Sequence, residues 1–148
     1  MTAAPSSDVR DIVDKLAAAL APRTEVLDAY LFGSLARGEA SAHSDVDVAV
    51  FVEPQALARP GFGYEAELGA SVQQALARPD VDITVLNRAG PVIYHRVVRD
   101  GIRVLSRNMR ATTTREGEAL SRYCDYVPTL RMIERMHRAR IASGSFGR

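Results

Sequence analysis

The strongest constraint on this chain is a short run, Leu31–Val52, that reads LFGSLARGEASAHSDVDVAVFV. An apolar segment, Glu25–Phe32, has strand character and ends in Gly33-Ser34; ten residues later Asp45-x-Asp47 opens a second such segment, Asp45–Val52. Gly33 permits torsions closed to other residues and a close approach of backbone to a phosphate. Ser34 adds a hydroxyl, and a turn of helix after it presents free backbone N–H groups to an anion. On a strand, Asp45 and Asp47 project from the same face, because side chains alternate with period two. Two adjacent carboxylates repel unless a cation neutralises them. Mg²⁺ suits the pair, since it takes oxygen ligands and bridges one or two carboxylates to substrate phosphates. The spacing therefore sets a phosphate cradle beside a metal site.

A third carboxylate at the mouth of a neighbouring strand would complete a site for two ions, which together stabilise the attacking and leaving oxygens of an in-line displacement. Asp82, at the start of VDITVL, is the candidate, with Val81, Ile83 and Val85 turned to the core; Asp80 shares its face and is the alternative. Arg37 has two readings of equal weight, a contact to the triphosphate or an exposed pair with Glu39. His43 is read as an exposed loop residue, and His95 and His137 have no metal-ligand spacing to any partner.

The rest of the chain supplies the frame. Ser6 or Ser7 caps a first helix whose apolar residues Val9, Ile12, Val13, Leu16 and Leu20 share one face, and Pro22 ends it. Residues 54–63 read as a loop rich in Pro and Gly, 65–77 as a helix, 81–86 as a third strand, 91–99 as a short helix and 102–105 as a last strand. Thr112–Thr114 are expected to cap the final helical region, which Pro128 splits or kinks. This order implies an α/β (α+β) chain with one small mixed β-sheet and helices packed on one side. With 148 residues the expectation is one domain over 1–148, a core of about 8–106 and C-terminal helices at about 112–142. Tyr94 is expected to pack with its hydroxyl at the surface, and Cys124, the lone cysteine, to be a small packed helix residue.

Composition narrows the function classes. There is no apolar run near membrane-spanning length and no signal-like start, and a single cysteine fits a reducing compartment, so a cytoplasmic address is expected. A net charge of +1 argues against a dedicated nucleic-acid binder. Near the C-terminus Arg131, Arg135, Arg138 and Arg140 interleave with Met132, Ile133, Met136 and Ile141. That amphipathic pattern packs either on its own domain or at an interface, where Met and Arg are enriched.

Gly33-Ser34-x₁₀-Asp45-x-Asp47 resembles the signature of the DNA polymerase β-like nucleotidyltransferase superfamily, and more narrowly of its minimal, MNT-type members. PVIYHRVVRDG before a short strand and ALSRYCDYVPTLRMIERM near the end are also similar, so the likeness spans roughly residues 8–140. The resemblance implies a DNA polymerase β-like nucleotidyltransferase fold, with Asp45 and Asp47 as Mg²⁺ ligands and Asp82 as a further ligand or general base. It implies that Gly33 and Ser34 hold the triphosphate of ATP, with Ser44 as an extra donor to phosphate. Many MNT-type proteins are antitoxins of HEPN RNase toxins, silencing them by transferring AMP to a tyrosine as well as by binding. The expected function is that transfer. The alternatives are an antitoxin that acts by binding alone, or a transferase acting on a small molecule or a tRNA 3′ end. About 40 residues after Leu105 leave little room for the larger helical domain of drug-modifying relatives.

Overall fold

The computed structural model describes residues 4–39, 43–58 and 63–144. Elements follow the order α1 (Ser7–Leu20), β1 (Val26–Phe32), β2 (Val46–Val52), α2 (Pro54–Leu57), α3 (Tyr64–Leu76), β3 (Val81–Val85), α4 (Pro91–Asp100), β4 (Ile102–Ser106) and α5 (Met109–Ala142), with a 3₁₀ turn over Leu86–Arg88. The strands form one mixed sheet in the order β3-β2-β1-β4. β1 is antiparallel to both its neighbours, whereas β2 and β3 run parallel. Parallel neighbours need a crossover, and α2 and α3 supply it. The consequence is decisive for function: β1 ends at the same edge of the sheet at which β2 and β3 begin.

β2 explains the layering. Val46, Val48, Val50 and Val52 are all fully buried and pack with Leu16 and Leu20 of α1 and Leu68 and Val72 of α3. Each side chain of this kind contributes about 1.5–3 kcal/mol when removed from water. The alternate face is apolar too. Tyr30 and Ala49 pack with Tyr94 and Val97 of α4 and Ala119 of α5, with Phe32 and Phe51 against them. Helices therefore cover both faces, where the sequence reading expected one side. The physical reason lies in β1, which is apolar at nearly every position, as a strand covered twice must be.

Asp28 is the exception on that strand, fully buried and facing α5. Arg115 reaches it with Nε and a terminal nitrogen, at 2.7 and 3.0 Å, and Thr112 donates its hydroxyl at 2.5 Å. Tyr30 donates to Glu116 at 2.7 Å, and Arg103 donates to the same carboxylate oxygen at 2.6 Å. The N-terminal half of α5 is thereby fastened to β1 by polar groups on the sheet. At the opposite edge from the site, Arg107 donates to the carbonyls of Leu20, Ala21, Arg23 and Val26, closing the end of α1 onto the start of β1. Asn87 does similar work for β2, meeting both the N–H and the C=O of Val52.

Several local expectations change. Ser6 caps α1, but α5 is capped by Asn108, not by Thr112–Thr114; the hydroxyls of Thr113 and Thr114 turn back to carbonyls of the helix, and that of Thr112 is given to Asp28. α5 runs unbroken through Pro128 for 34 residues, so the expected split does not occur. Residues 54–57 are a helical turn within the expected loop; 59–62 lie outside the described residues. Tyr94 is buried with its hydroxyl, which has no hydrogen-bond partner among the described residues, and Cys124 is exposed rather than packed. Among the described residues no helix is long and apolar enough to cross a membrane.

Candidate active site

The sheet edge where β1 ends gathers the sequence-identified residues. Phe32 pairs with Asp47, and Asp47 pairs in turn with Asp82 on the parallel strand β3. Asp45 lies two residues before Asp47, on the approach to β2. Gly33 follows Phe32 directly, with φ +76°, a conformation that glycine adopts freely. A Cβ on Gly33 would collide with the Asp47 carboxylate, lying 3.0 Å from its Cγ. Gly33 is thus required twice, by its torsion and by the carboxylate pressed against it.

After Gly33 the chain makes the expected single helical turn: the N–H of Arg37 meets the carbonyl of Gly33 at 3.2 Å, and that of Glu39 meets Ser34 at 2.9 Å. Ser34 stands half-buried at the start of this turn. The first N–H groups of such a turn have no acceptor within it, as an anion site needs. Arg37 donates through Nε to Glu39 at 3.0 Å, so the surface pair holds in this conformation. Its charge still reaches Asp47.

The electrostatics join the three carboxylates. Asp47 is held above the usual carboxylate range, first by burial and then by the charges of Asp82 and Asp45, with Arg37 opposing. A divalent cation would relieve both repulsions, from Asp82 and from Asp45. Among the described residues no three Asp, Glu, His or Cys side chains are grouped so as to hold a metal ion by themselves. Mg²⁺ does not need one, since it keeps several waters and takes substrate phosphate oxygens as ligands. An open row of hard oxygen donors fits that ion.

Asp80, the alternative to Asp82, is engaged elsewhere. Arg78 grips it with two hydrogen bonds, at 2.9 and 2.5 Å, and the guanidinium holds its carboxyl below the usual range. The same guanidinium donates to the carbonyl of Ser44 at 3.0 Å, and the N–H of Val46 meets the carbonyl of Asp80 at 2.8 Å. Arg78 therefore clamps the mouth of β3 to the mouth of β2, holding Asp82 abreast of Asp47. Sequence reading missed it, because an arginine in a loop carries no pattern. Ser44 is half-buried within this clamp, and His43 is exposed in the turn before it. Two open surface depressions of about 360 and 480 Å³ lie on the outer side of α5, around Arg110, Thr114, Glu118 and Arg122, away from the carboxylates.

A glycine-backed turn beside an acidic row across two parallel strands suits the chemistry of nucleotide transfer. The chain belongs to the polymerase beta, nucleotidyltransferase family, which matches residues 14–110. No curated protein sequence matches the chain. Among solved structures it is similar to the toxin–antitoxin MntA-HepT, with a TM-score of 0.65 at 21% identity over 86% of this chain and 98% of that one. An MNT antitoxin in complex with tri-AMPylated HEPN toxin from Shewanella oneidensis gives 0.63 at 21% identity, over 87% and 98%. A toxin–antitoxin structure with AMP-PNP gives 0.59 at 21%, over 90% and 98%. The fold is thus that of the MNT nucleotidyltransferases.

Proposed function

We infer that this protein transfers AMP from ATP to a hydroxyl of a cognate HEPN RNase toxin, a tyrosine, and serves as its antitoxin. The observation that carries the reading is the pairing of Asp47 with Asp82 across parallel strands, beside Gly33. Support comes also from the family and from the neighbour whose toxin is AMPylated. In this reading Asp45, Asp47 and Asp82 would hold two Mg²⁺ ions, which would supply charge neutralisation for the triphosphate. Gly33, Ser34 and the N–H groups of the following turn orient the phosphates, with Ser44 and Arg37 as further donors once Arg37 leaves Glu39. The acceptor oxygen bonds to the α-phosphorus, the bond to the β-phosphate oxygen breaks, and pyrophosphate departs. The hydroxyl proton passes to Asp82. Positioning and charge stabilisation carry most of the rate in such transfers.

Pyrophosphate release in the presence of toxin, ATP and Mg²⁺ tests the chemistry. Asp45→Asn and Asp47→Asn are each expected to reduce it by about 10²–10³-fold, the scale of losing one preorganised electrostatic group. Full activity in either variant overturns the assignment. If Asp45→Asn neutralises the toxin in cells as well as the wild type, binding alone is the antitoxin mechanism.

A further inference from the structure

We propose that the projecting C-terminal half of α5 is the docking surface for the acceptor protein, which meets it with an apolar face edged by carboxylates. This rests on the transferase reading and names the surface by which the acceptor is held.

The helix is longer than the sheet it crosses. Its 34 residues span about 51 Å, against about 23 Å for the seven residues of β1. Its direction follows from its ties: Thr112 and Arg115 meet Asp28, and Glu116 meets Tyr30, so the helix advances as β1 does, toward Gly33. Tyr123 makes the last of these anchors among the described residues, stacking on His95 of α4 with ring centres 3.7 Å apart. From 124 to 142, among the described residues, no hydrogen bond, ion pair or ring contact joins the helix to another element. What remains continues past the sheet in the sense that leads to the acidic edge.

This half is built as an interface. Met132, Met136 and Ile141 are 51%, 59% and 60% exposed. Met132, Ile133 and Met136 share one face, and Arg131, Arg135 and Arg138 fall together on its flank at i, i+4, i+7 spacing. Between 126 and 142 there are four arginines and a single acidic residue, Glu134, a net charge of +3. The same charge disfavours a second copy of this chain as the occupant, because +3 would face +3. It favours a partner with carboxylates around an apolar patch. A partner seated there lies on the side of the molecule where the acceptor hydroxyl is needed, and the helix holds it for the reaction.

Two variants of the full chain test this, one losing the apolar stripe (Met132→Gln with Met136→Gln) and one reversing the flank (Arg131→Glu, Arg135→Glu, Arg138→Glu). All five positions are exposed, so both variants should keep the wild-type circular dichroism. Each is expected to weaken binding of the cognate HEPN toxin at least 30-fold by calorimetry. KM for the toxin should rise in step while kcat at saturation and the affinity for MgATP stay at wild-type values. Toxin affinity within twofold of wild type in both variants overturns the proposal. So does a wild-type dimer in sedimentation that the methionine variant abolishes, or an RNA affinity that the arginine variant alone destroys. Failure here is separable from failure of the transferase reading. Toxin binding that depends on α5 without AMP transfer sinks only the chemistry; transfer that needs Asp45 with normal binding by both variants sinks only the docking surface.

Discussion

At the scale of single residues, Asp47 is the group on which the site turns. Its carboxyl is held above its ordinary value by burial and by Asp82 and Asp45, so the folded chain binds the Asp47 proton more tightly than the unfolded chain does. The sign follows: the ionised carboxylate costs stability above the folded pKa, and the cost vanishes below the ordinary value of 3.8. Without divalent cations, Asp47→Asn should therefore melt at a higher temperature than wild type at pH 7. The gap should narrow as the pH approaches 4, and an Asn variant less stable than wild type at pH 7 contradicts the reading. Gly33→Ala behaves oppositely. A methyl at φ +76° costs about 1–3 kcal/mol of strain and drives into the Asp47 carboxylate, so denaturant melting and AMP transfer should both suffer. These residues were legible in the sequence because two turn-and-strand signals stood at a fixed spacing. Arg78 was not, since its role depends on a carbonyl 34 residues away at Ser44, a pairing that only the crossover creates.

At the scale of elements, the strands and most helices follow from periodicity and caps, while the layering does not. β1 is apolar at every position but Asp28, a run that suits cover on both faces, yet the element order alone suggested one; α4 and α5 supply the second layer. Asp28 within it carries no signal of its own in the sequence. Its partners Thr112 and Arg115 lie more than 80 positions away, so no local pattern could assign it. Because Asp28 is fully buried, Arg115→Ala leaves a buried carboxylate without its cation and is expected to cost about 3–5 kcal/mol in urea unfolding. A loss below 1 kcal/mol would mean that Thr112 alone satisfies it. Arg78→Ala acts on the other side of the sheet edge. Releasing the two strand mouths should lower transfer tenfold or more with little change in toxin affinity, since small displacements of reacting groups are costly.

The whole molecule joins a short sheet to a helix of twice its length, and that disproportion separates two tasks. The sheet edge organises charge around the phosphates, and the helix reaches past it. Pro128 lies within α5 and did not break it, because the proline removes one hydrogen bond from a helix whose first half is already anchored. The amphipathic pattern of the C-terminal stretch was readable, but whether the domain itself covers that stripe was not, since helix direction is set by Asp28 and Tyr30 on a distant strand. The central claim, that the acidic edge transfers AMP to a protein hydroxyl, is tested most directly by intact-mass spectrometry of the cognate HEPN toxin after incubation with this protein, ATP and Mg²⁺. A gain of one or more AMP units, absent with Asp47→Asn and absent without Mg²⁺, is expected. An unmodified toxin in a stable complex with the wild-type protein would contradict it.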